Sequence, residues 1–384
     1  MFFQTLTVLT AKKTLLAIFI LVGINFLCID SYAQAKKAKV KKAPKSNVID
    51  PNYLPGPLFN TDSIIEIKLT GNLKAIYNDR DDKEVGTHPM LLQFKQTETS
   101  KVTALPLMVR ARGHFRRMKS NCDLPPLWLD FKKDARLKGT LFEKQNKLKL
   151  VTPCQGDNYV VREFLIYKIY NLISPQCMRA RLVKVSFEDS MGKVKPQTQY
   201  SILIEDDMKA ARRNYTYIKE VKMIRMENVN PAEFTKLAVF QYLIGNTDWS
   251  VPYLHNIKLA FKDSLSIPTA IPYDFDHSGM VDAPYAMPPE QLQLTSVRQR
   301  RYRGYCQPIN TFKPTFDLFN KLKDDIYKIY TDCPYIDEKY KKSAIRYLDD
   351  FYKVINNPKT AEREFSFPCQ NKERINIGGY EDQN

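Results

Sequence analysis

Residues 230–261 read NPAEFTKLAVFQYLIGNTDWSVPYLHNIKLAF, and their interpretation decides the fold. Asn230 suits a helix N-cap, with Pro231 as first helical residue and Glu233 third, the arrangement of a capping box. From Leu237 to Ile244 nearly every residue is apolar, so the helix is expected to be buried on most sides. Gly245 can adopt the left-handed conformation that ends it. Asn246, Thr247, Asp248 and Trp249 then form a polar turn, and His255 and Asn256 open an alternating apolar run. Shortly afterwards the segment IPYDFDHSG ends a second strand in Asp274 and Asp276.

Acidic and amide groups thus gather at strand ends in the order Asp248, Asn256, then Asp274 or Asp276. Phosphoryl transfer uses such a set: one carboxylate orients the attacking hydroxyl, and an amide with a second carboxylate holds magnesium against the ATP phosphates. Each residue alone has a plainer reading, as a turn cap, a strand start or a surface loop. The ordered set is what points to chemistry.

The segment resembles the catalytic and metal-binding loops of CotH-like atypical kinases of the spore-coat type, and more distantly HipA-like kinases. These share a GNTD-like loop, a following Asn and a strand end of YD or WDxD type. The resemblance implies that Asp248 is the catalytic aspartate and Asn256 a metal ligand. Asp274 with Asp276 would be the counterpart of the DFG aspartate, with ATP and Mg2+ (or Mn2+) as cofactors. It also implies an α+β, two-lobed protein-kinase-like fold, a sheet-rich N-lobe over a mostly helical C-lobe. One departure stands out. Eight positions separate Asp248 from Asn256 where protein kinases have five, so the three extra residues must bulge out for Asn256 to serve.

Upstream, residues 60–155 read as a mostly antiparallel sheet, with strands at Ser63–Leu69, Met90–Phe94 and Ala104–Arg112. The turn VRARGHFRRMKSNCDLPPLWLDF sets Gly113 among Arg110, Arg112, Arg116, Arg117 and Lys119. Backbone amides at a glycine turn backed by guanidinium groups suit a phosphate-bearing ligand, and a plain basic hairpin explains the segment nearly as well. It is loosely similar to the RGN-type segment of CotH-like kinases, with His114 where that family often has Asn or Thr. In NKLKLVTPCQGDNYVVREFLIYKIYNLI, a strand and turn lead into a helix whose apolar stripe is Val161, Phe164, Leu165, Ile169 and Leu172. A kinase holds the α and β phosphates with a strand lysine fixed by a helix glutamate. Lys149 with Glu163 are the candidates, Lys147 the second choice. Strands at Leu182–Phe187 and Gln199–Ile204 follow, joined at Met191-Gly192. By the kinase resemblance the second leads through Glu205 to an adenine-reading hinge.

Composition bounds the rest. The chain has 384 residues and a formal charge of +17, and its 43% hydrophobic and 12% aromatic content argues for a globular protein rather than disorder. Residues 1–33 read as a signal peptide, with Lys12 and Lys13, an apolar run from Leu15 to Cys28, and Ser31-Tyr32-Ala33 for cleavage. A retained anchor is disfavoured because the run is short for a membrane span. Export to the periplasm or medium is therefore expected. Residues 34–58 form a basic flexible linker with six lysines between Lys36 and Lys45, suited to an anionic polymer or membrane surface. Residues 59–204 would be the sheet-rich lobe, 205–370 the helical lobe and 371–384 a loose tail. Six cysteines remain after processing, enough for up to three disulfides or for buried thiols, and no CxxC suggests zinc. No recognition-helix or RNP-type signature accompanies the charge, so nucleic acid is not indicated as a partner.

Near the C-terminus, Arg298, Arg300, Arg301 and Arg303 offer either an acidic-substrate patch or a solvated face. Two amphipathic helices follow, marked by Phe316, Phe319, Leu322, Ile326 and Ile329, and by Ile345, Leu348, Tyr352 and Ile355. The sequence thus supports an exported kinase acting on a hydroxyl of a protein or envelope substrate. Two alternatives remain: a degenerate, kinase-derived binding or scaffolding protein, and nucleotidyl or glutamyl transfer in the same pocket.

Overall fold

The strand candidates upstream of Ile204 close on one another. The structure, a computed structural model, describes residues 49–80, 85–131 and 135–370. The signal peptide, residues 34–48 of the basic linker and the tail from 371 lie outside the described residues. The chain begins with β1 (Ile65–Gly71), α1 (Leu73–Asn78), β2 (His88–Phe94), β3 (Thr103–Ala111), β4 (Leu127–Asp130), β5 (Lys147–Val151) and α2 (Asp157–Ile173). It continues with β6 (Ala180–Asp189), β7 (Gln197–Ile204), α3 (Asp207–Arg213), β8 (Tyr217–Ile218), α4 (Pro231–Ile244), β9 (Ile257–Phe261) and β10 (Thr269–Pro272). Helices α5 (Lys313–Lys321), α6 (Lys323–Thr331), α7 (Glu338–Ile355) and α8 (Pro358–Phe365) follow.

Strands β1 to β7 form a closed barrel in the order β1-β2-β3-β4-β5-β7-β6. Every neighbouring pair is antiparallel except β1 with β6, which run parallel from Ile65 opposite Val183 to Gly71 opposite Asp189 and shut the barrel. Alternation along each strand sends Leu69, Leu92, Val109, Leu129, Leu148, Leu150, Val185 and Leu203 into a filled interior, with Phe131 stacked on Phe142. The expected two-lobed protein-kinase-like fold is therefore corrected: a closed seven-stranded mixed barrel stands where a mostly antiparallel, sheet-rich lobe was anticipated. The antiparallel reading of residues 60–155 missed this because closure depends on β6, more than a hundred residues after β1, adding a parallel edge.

The outer faces of β6 and β7 are also apolar. Ala180, Leu182, Ile202 and Ile204 pack under α2 in a second core shared with α4, the sheet β10-β9-β8 and the C-terminal helices. Helix α2 is buried over most of its circumference, with Val161, Ile166 and Ile169 fully enclosed. The stripe expected on it holds for Val161, Phe164, Leu165 and Ile169, whereas Leu172 is exposed. Removing one such side chain to Ala typically costs about 2–5 kcal/mol.

Helix α4 forms as its residues dictate: Asn230 Oδ1 accepts from Glu233 N–H at 3.1 Å, and Gly245 sits at φ 68°. The first C-terminal helix is broken into α5 and α6 at Leu322. Two disulfides form, Cys122–Cys154 and Cys306–Cys369, which fits an exported protein, while Cys177 and Cys333 are buried thiols. Among the described residues no helix is long and apolar enough to cross a membrane.

Candidate functional site

Gly245 turns the chain out of α4 so that the following loop crosses the C-terminal end of that helix. The loop is then fastened from two sides. Gly279 N–H donates to Gly245 O at 3.1 Å and Met280 N–H to Ile244 O at 3.0 Å, which joins the loop after β10 to the end of α4. From behind, buried Arg303 donates through Nη1 to the carbonyls of Thr247 and Trp249, the latter at 2.9 Å. Asp248 thus stands between two anchored peptide groups, its own N–H donating to Asn246 Oδ1 at 3.0 Å.

The eight-residue spacing resolves itself through a small bulge. Ser250 and His255 exchange backbone hydrogen bonds at 2.9 and 3.0 Å, and residues 251–254 loop out between them. Asn256 is thereby returned to Asp248, donating from Nδ2 to Asp248 O at 2.8 Å and to Oδ2 at 3.0 Å. The other carboxylate oxygen of Asp248 receives His255 Nε2 at 2.8 Å. Burial pushes the Asp248 carboxyl up, but the His255 contact and the charge of His277 outweigh it and hold it below the usual range.

The hairpin β9–β10 delivers the remaining acids. Tyr273 N–H donates to Asn256 O at 3.0 Å, so Asp274 begins one residue beyond the rung that Asn256 closes. Asn256 and Asp274 both have left-handed backbones, with φ of 51° and 61°. Such conformations are tolerated best by Asn and Asp and concentrate at functional sites. Asp274 N–H is held by the hydroxyl of Tyr167 on α2 at 3.0 Å. Among the described residues its carboxylate has no hydrogen bond or ion pair. Burial and then the neighbouring Asp276 charge push its pKa up.

Asp276 differs. Its Oδ2 takes the Nε of Arg116 at 2.8 Å, the Nη2 of Arg116 at 2.6 Å and the Tyr285 hydroxyl at 3.1 Å. Although burial opposes ionisation, Arg116 draws the Asp276 pKa down to about 2. The same guanidinium reaches Glu163 Oε2 at 3.1 Å. Glu163 is the more distant claimant on a shared cation, so burial prevails and its pKa rises to about 7. The expected pairing of Glu163 with Lys149 is thus replaced by a pairing with Arg116, from the basic turn.

These groups line a cleft of about 250 Å³, which includes Arg112, Gly113, Arg116, Lys222, Asp248, His255, Asn256, Tyr273, Asp274 and Asp276. Of the residues singled out from sequence, Asp248, Asn256, Asp274, Asp276, Gly113 and Arg112 meet there. Lys149 is buried just behind the wall, 5.1 Å from the Tyr273 ring centroid, with its pKa lowered to about 8 by burial and by Arg112. Lys147 lies over the Trp128 ring at 4.3 Å, and neither lysine lines the cleft. Glu205 is buried in an ion pair with Arg213 at 3.0 Å and accepts from Arg179 N–H at 3.1 Å, outside the cleft. The arginine run is a set of internal braces: Arg300 donates to Leu243 O and Tyr347 O, and Arg303 to the Asp248 loop. His255 and Tyr285 were not foreseen as site residues, and Arg116 and Arg303 were named only within a basic turn and an arginine run, because nothing local in the chain shows that Arg116 meets Asp276 or that Arg303 braces the Asp248 loop.

Among the described residues no three His, Cys, Asp or Glu side chains converge as a self-sufficient metal cluster. Magnesium asks less of the protein, since one or two side-chain oxygens suffice when phosphates and water complete its shell. Asp274, a carboxylate beside Asn256 without an ion pair among the described residues, fits that requirement. No protein-family model matches the chain, and no curated protein matches it.

Proposed function

We propose that the cleft is a magnesium-dependent phosphotransferase site, moving the ATP γ-phosphate to a hydroxyl of a protein or cell-envelope acceptor. The observation that carries the proposal is the convergence of Asp248, Asn256 and Asp274. They reach one cleft wall through a bulge that cancels the unusual spacing. In this reading Asp248 accepts a hydrogen bond from the acceptor hydroxyl and orients it, with His255 and Asn256 fixing the carboxylate plane. Asn256 Oδ1 and the Asp274 carboxylate would hold Mg2+ (or Mn2+), which when bound supplies positive charge to the phosphate oxygens. Asp276 anchors Arg116, which keeps the Gly113 turn over the cleft. Arg112 and the Gly113 backbone supply cationic and N–H character for phosphate oxygens, and Lys149 adds positive charge from behind the cleft wall. Catalysis of this kind rests on positioning and electrostatics. The resemblance to CotH-like kinases runs over roughly residues 105–280 in motif order and is specific in the catalytic and metal segments alone, which here belong to a barrel-containing scaffold. Export through cleavage of residues 1–33, to periplasm or medium, and attraction of the basic linker to an anionic polymer or membrane surface complete the proposal.

Asp274→Ala is expected to abolish metal-dependent ATP turnover while the melting temperature stays near wild type. Wild-type turnover in that variant refutes the assignment. A second reading, a binding protein without turnover, is favoured by Lys149, which among the described residues has no carboxylate holding it as a transferase lysine needs. Thermal-shift titration with Mg-ATP followed by product analysis with γ- and α-labelled ATP separates binding alone, phosphoryl transfer and nucleotidyl transfer.

A further inference from the structure

The hairpin that carries Asn256 and Asp274 to the cleft has a second end. Between β9 and β10, residues 262–268 read KDSLSIP and form a turn whose polar side chains are spent on its own backbone. The N–H groups of Lys262 and Asp263 donate to Ser266 Oγ at 3.0 and 3.1 Å, and those of Leu265 and Ser266 to Asp263 Oδ1 at 2.8 Å each. Ser266 Oγ in turn donates to Asp263 O at 3.1 Å. The apolar side chains are left outside. Leu265 is 94% exposed, the most of any large apolar side chain among the described residues, and Ile267 is 63% exposed. Tyr215, 56% exposed, stands two residues before Tyr217, which pairs with Phe261 at this same end of β9. Lys262 and Arg212, whose carbonyl accepts from Tyr215 N–H at 3.1 Å, are exposed cations.

One exposed Leu needs no account, but this turn combines outward aliphatic chains with backbone donors that are already satisfied. An unsatisfied N–H is costly in hydrocarbon, so a tip built this way loses little on leaving water. Area then decides what it meets. Two aliphatic chains on a protruding turn cover far less than the roughly 800 Å² per partner that a specific protein interface buries, whereas a bilayer needs no shape complementarity. Basic side chains and a Tyr at the base of the tip suit the headgroup layer, and the chain's formal charge of +17 favours an anionic surface. We infer that the β9–β10 tip is a membrane-docking element. Leu265 and Ile267 enter a bilayer that bears anionic headgroups, with Tyr215, Lys262 and Arg212 at headgroup level. The five residues of β9 set the tip about 17 Å from Asn256, so the cleft stays in water. The inference does not rest on the chemistry of the cleft; where both hold, the cleft meets acceptors displayed at a membrane surface.

The test places a reporter on the tip by Leu265→Trp in the full chain, its emission taken as the difference from wild type, which carries Trp128 and Trp249 alone. With vesicles of phosphatidylcholine and phosphatidylglycerol, that emission should move to shorter wavelength and be quenched by lipid brominated in its acyl chains. Both effects should weaken with phosphatidylcholine alone. Ile267→Asp added to the reporter chain should abolish the quenching, because a carboxylate keeps the tip out of hydrocarbon. Met191→Trp, exposed in the turn between β6 and β7, controls for adsorption through any face, and its emission should escape quenching. Because the reporter reads the tip itself, the result does not depend on how the basic linker or the N-terminus behaves at the surface. Vesicle-bound protein whose tip reporter is not quenched, equal quenching of the two reporters, or no vesicle binding overturns the inference. An emission shift that follows protein concentration without vesicles also overturns it, by identifying a second copy of the chain as the occupant.

Discussion

Replacing Arg116 with Met would remove the one guanidinium shared by two buried carboxylates. Wild-type Asp276, at a pKa of about 2, lies below its ordinary unfolded value of about 3.9, a difference of roughly two units or about 2–3 kcal/mol. That contribution is present above about pH 4 and is lost as pH falls through about 2. Without Arg116 its sign reverses: the buried acid, lacking its cation, has a raised pKa and destabilises the fold whenever it is ionised in the unfolded chain. Breaking a buried pair by deleting one partner costs about 3–5 kcal/mol, and here two acids lose the same partner. Urea unfolding with disulfides intact should therefore show a loss of roughly 3–5 kcal/mol at pH 7.5. The loss should narrow by at least about 1 kcal/mol at pH 4.5, where the unfolded acids begin to hold protons as the folded ones do. A loss below about 1 kcal/mol, or one independent of pH, refutes the reasoning that Arg116 neutralises this cluster.

Glu163→Gln tests the other half of that pair: because the Glu163 pKa is raised to about 7, its contribution is full below the unfolded value of about 4.3 and lost as pH rises through 7. The variant should flatten the fall in stability between about pH 4.5 and 7.5, measured by unfolding at several pH values. Converting Cys122 and Cys154 to Ser opens a link spanning 32 positions and should cost about 3–4 kcal/mol by thermal unfolding, since the bridge ties the end of the basic turn to the segment before α2. Arg303→Met leaves the Thr247 and Trp249 carbonyls without their buried donor. It should cost about 1–3 kcal/mol for each unsatisfied group and reduce turnover more than Mg-ATP affinity, as separate kinetic and calorimetric measurements would show.

The helix from Pro231 to Ile244 was legible because its signals are local: an Asn cap, a Pro at the first position, a Glu two residues on and a Gly at the exit each act on their own turn. Strands β1, β2, β3, β6 and β7 were legible in outline for the same reason, each alternating over a few residues. The convergence of Asp248, Asn256 and Asp274 was expected from their order, but the bulge at 251–254 that makes it geometrically workable was only a condition, not a reading. The stripe on α2 overreached at Leu172, which is exposed while Tyr170 and Ile173 of the same last turn are buried, because the face that meets the core there is the one those two residues share.

The chain alone therefore determined the bounds of α4, the outline of several strands and which acids lie at their tips, since capping, turn chemistry and side-chain alternation operate within a few residues. Only tertiary structure decided that β6 would run parallel to β1 and close a barrel. It also decided that Glu163 would take Arg116, 47 positions away, rather than Lys149, and that Arg116 would reach Asp276 across 160 positions. A guanidinium or a strand edge has many chemically acceptable partners along a sequence. Which one it meets follows from the packing of two cores that brings distant segments to the same few ångströms.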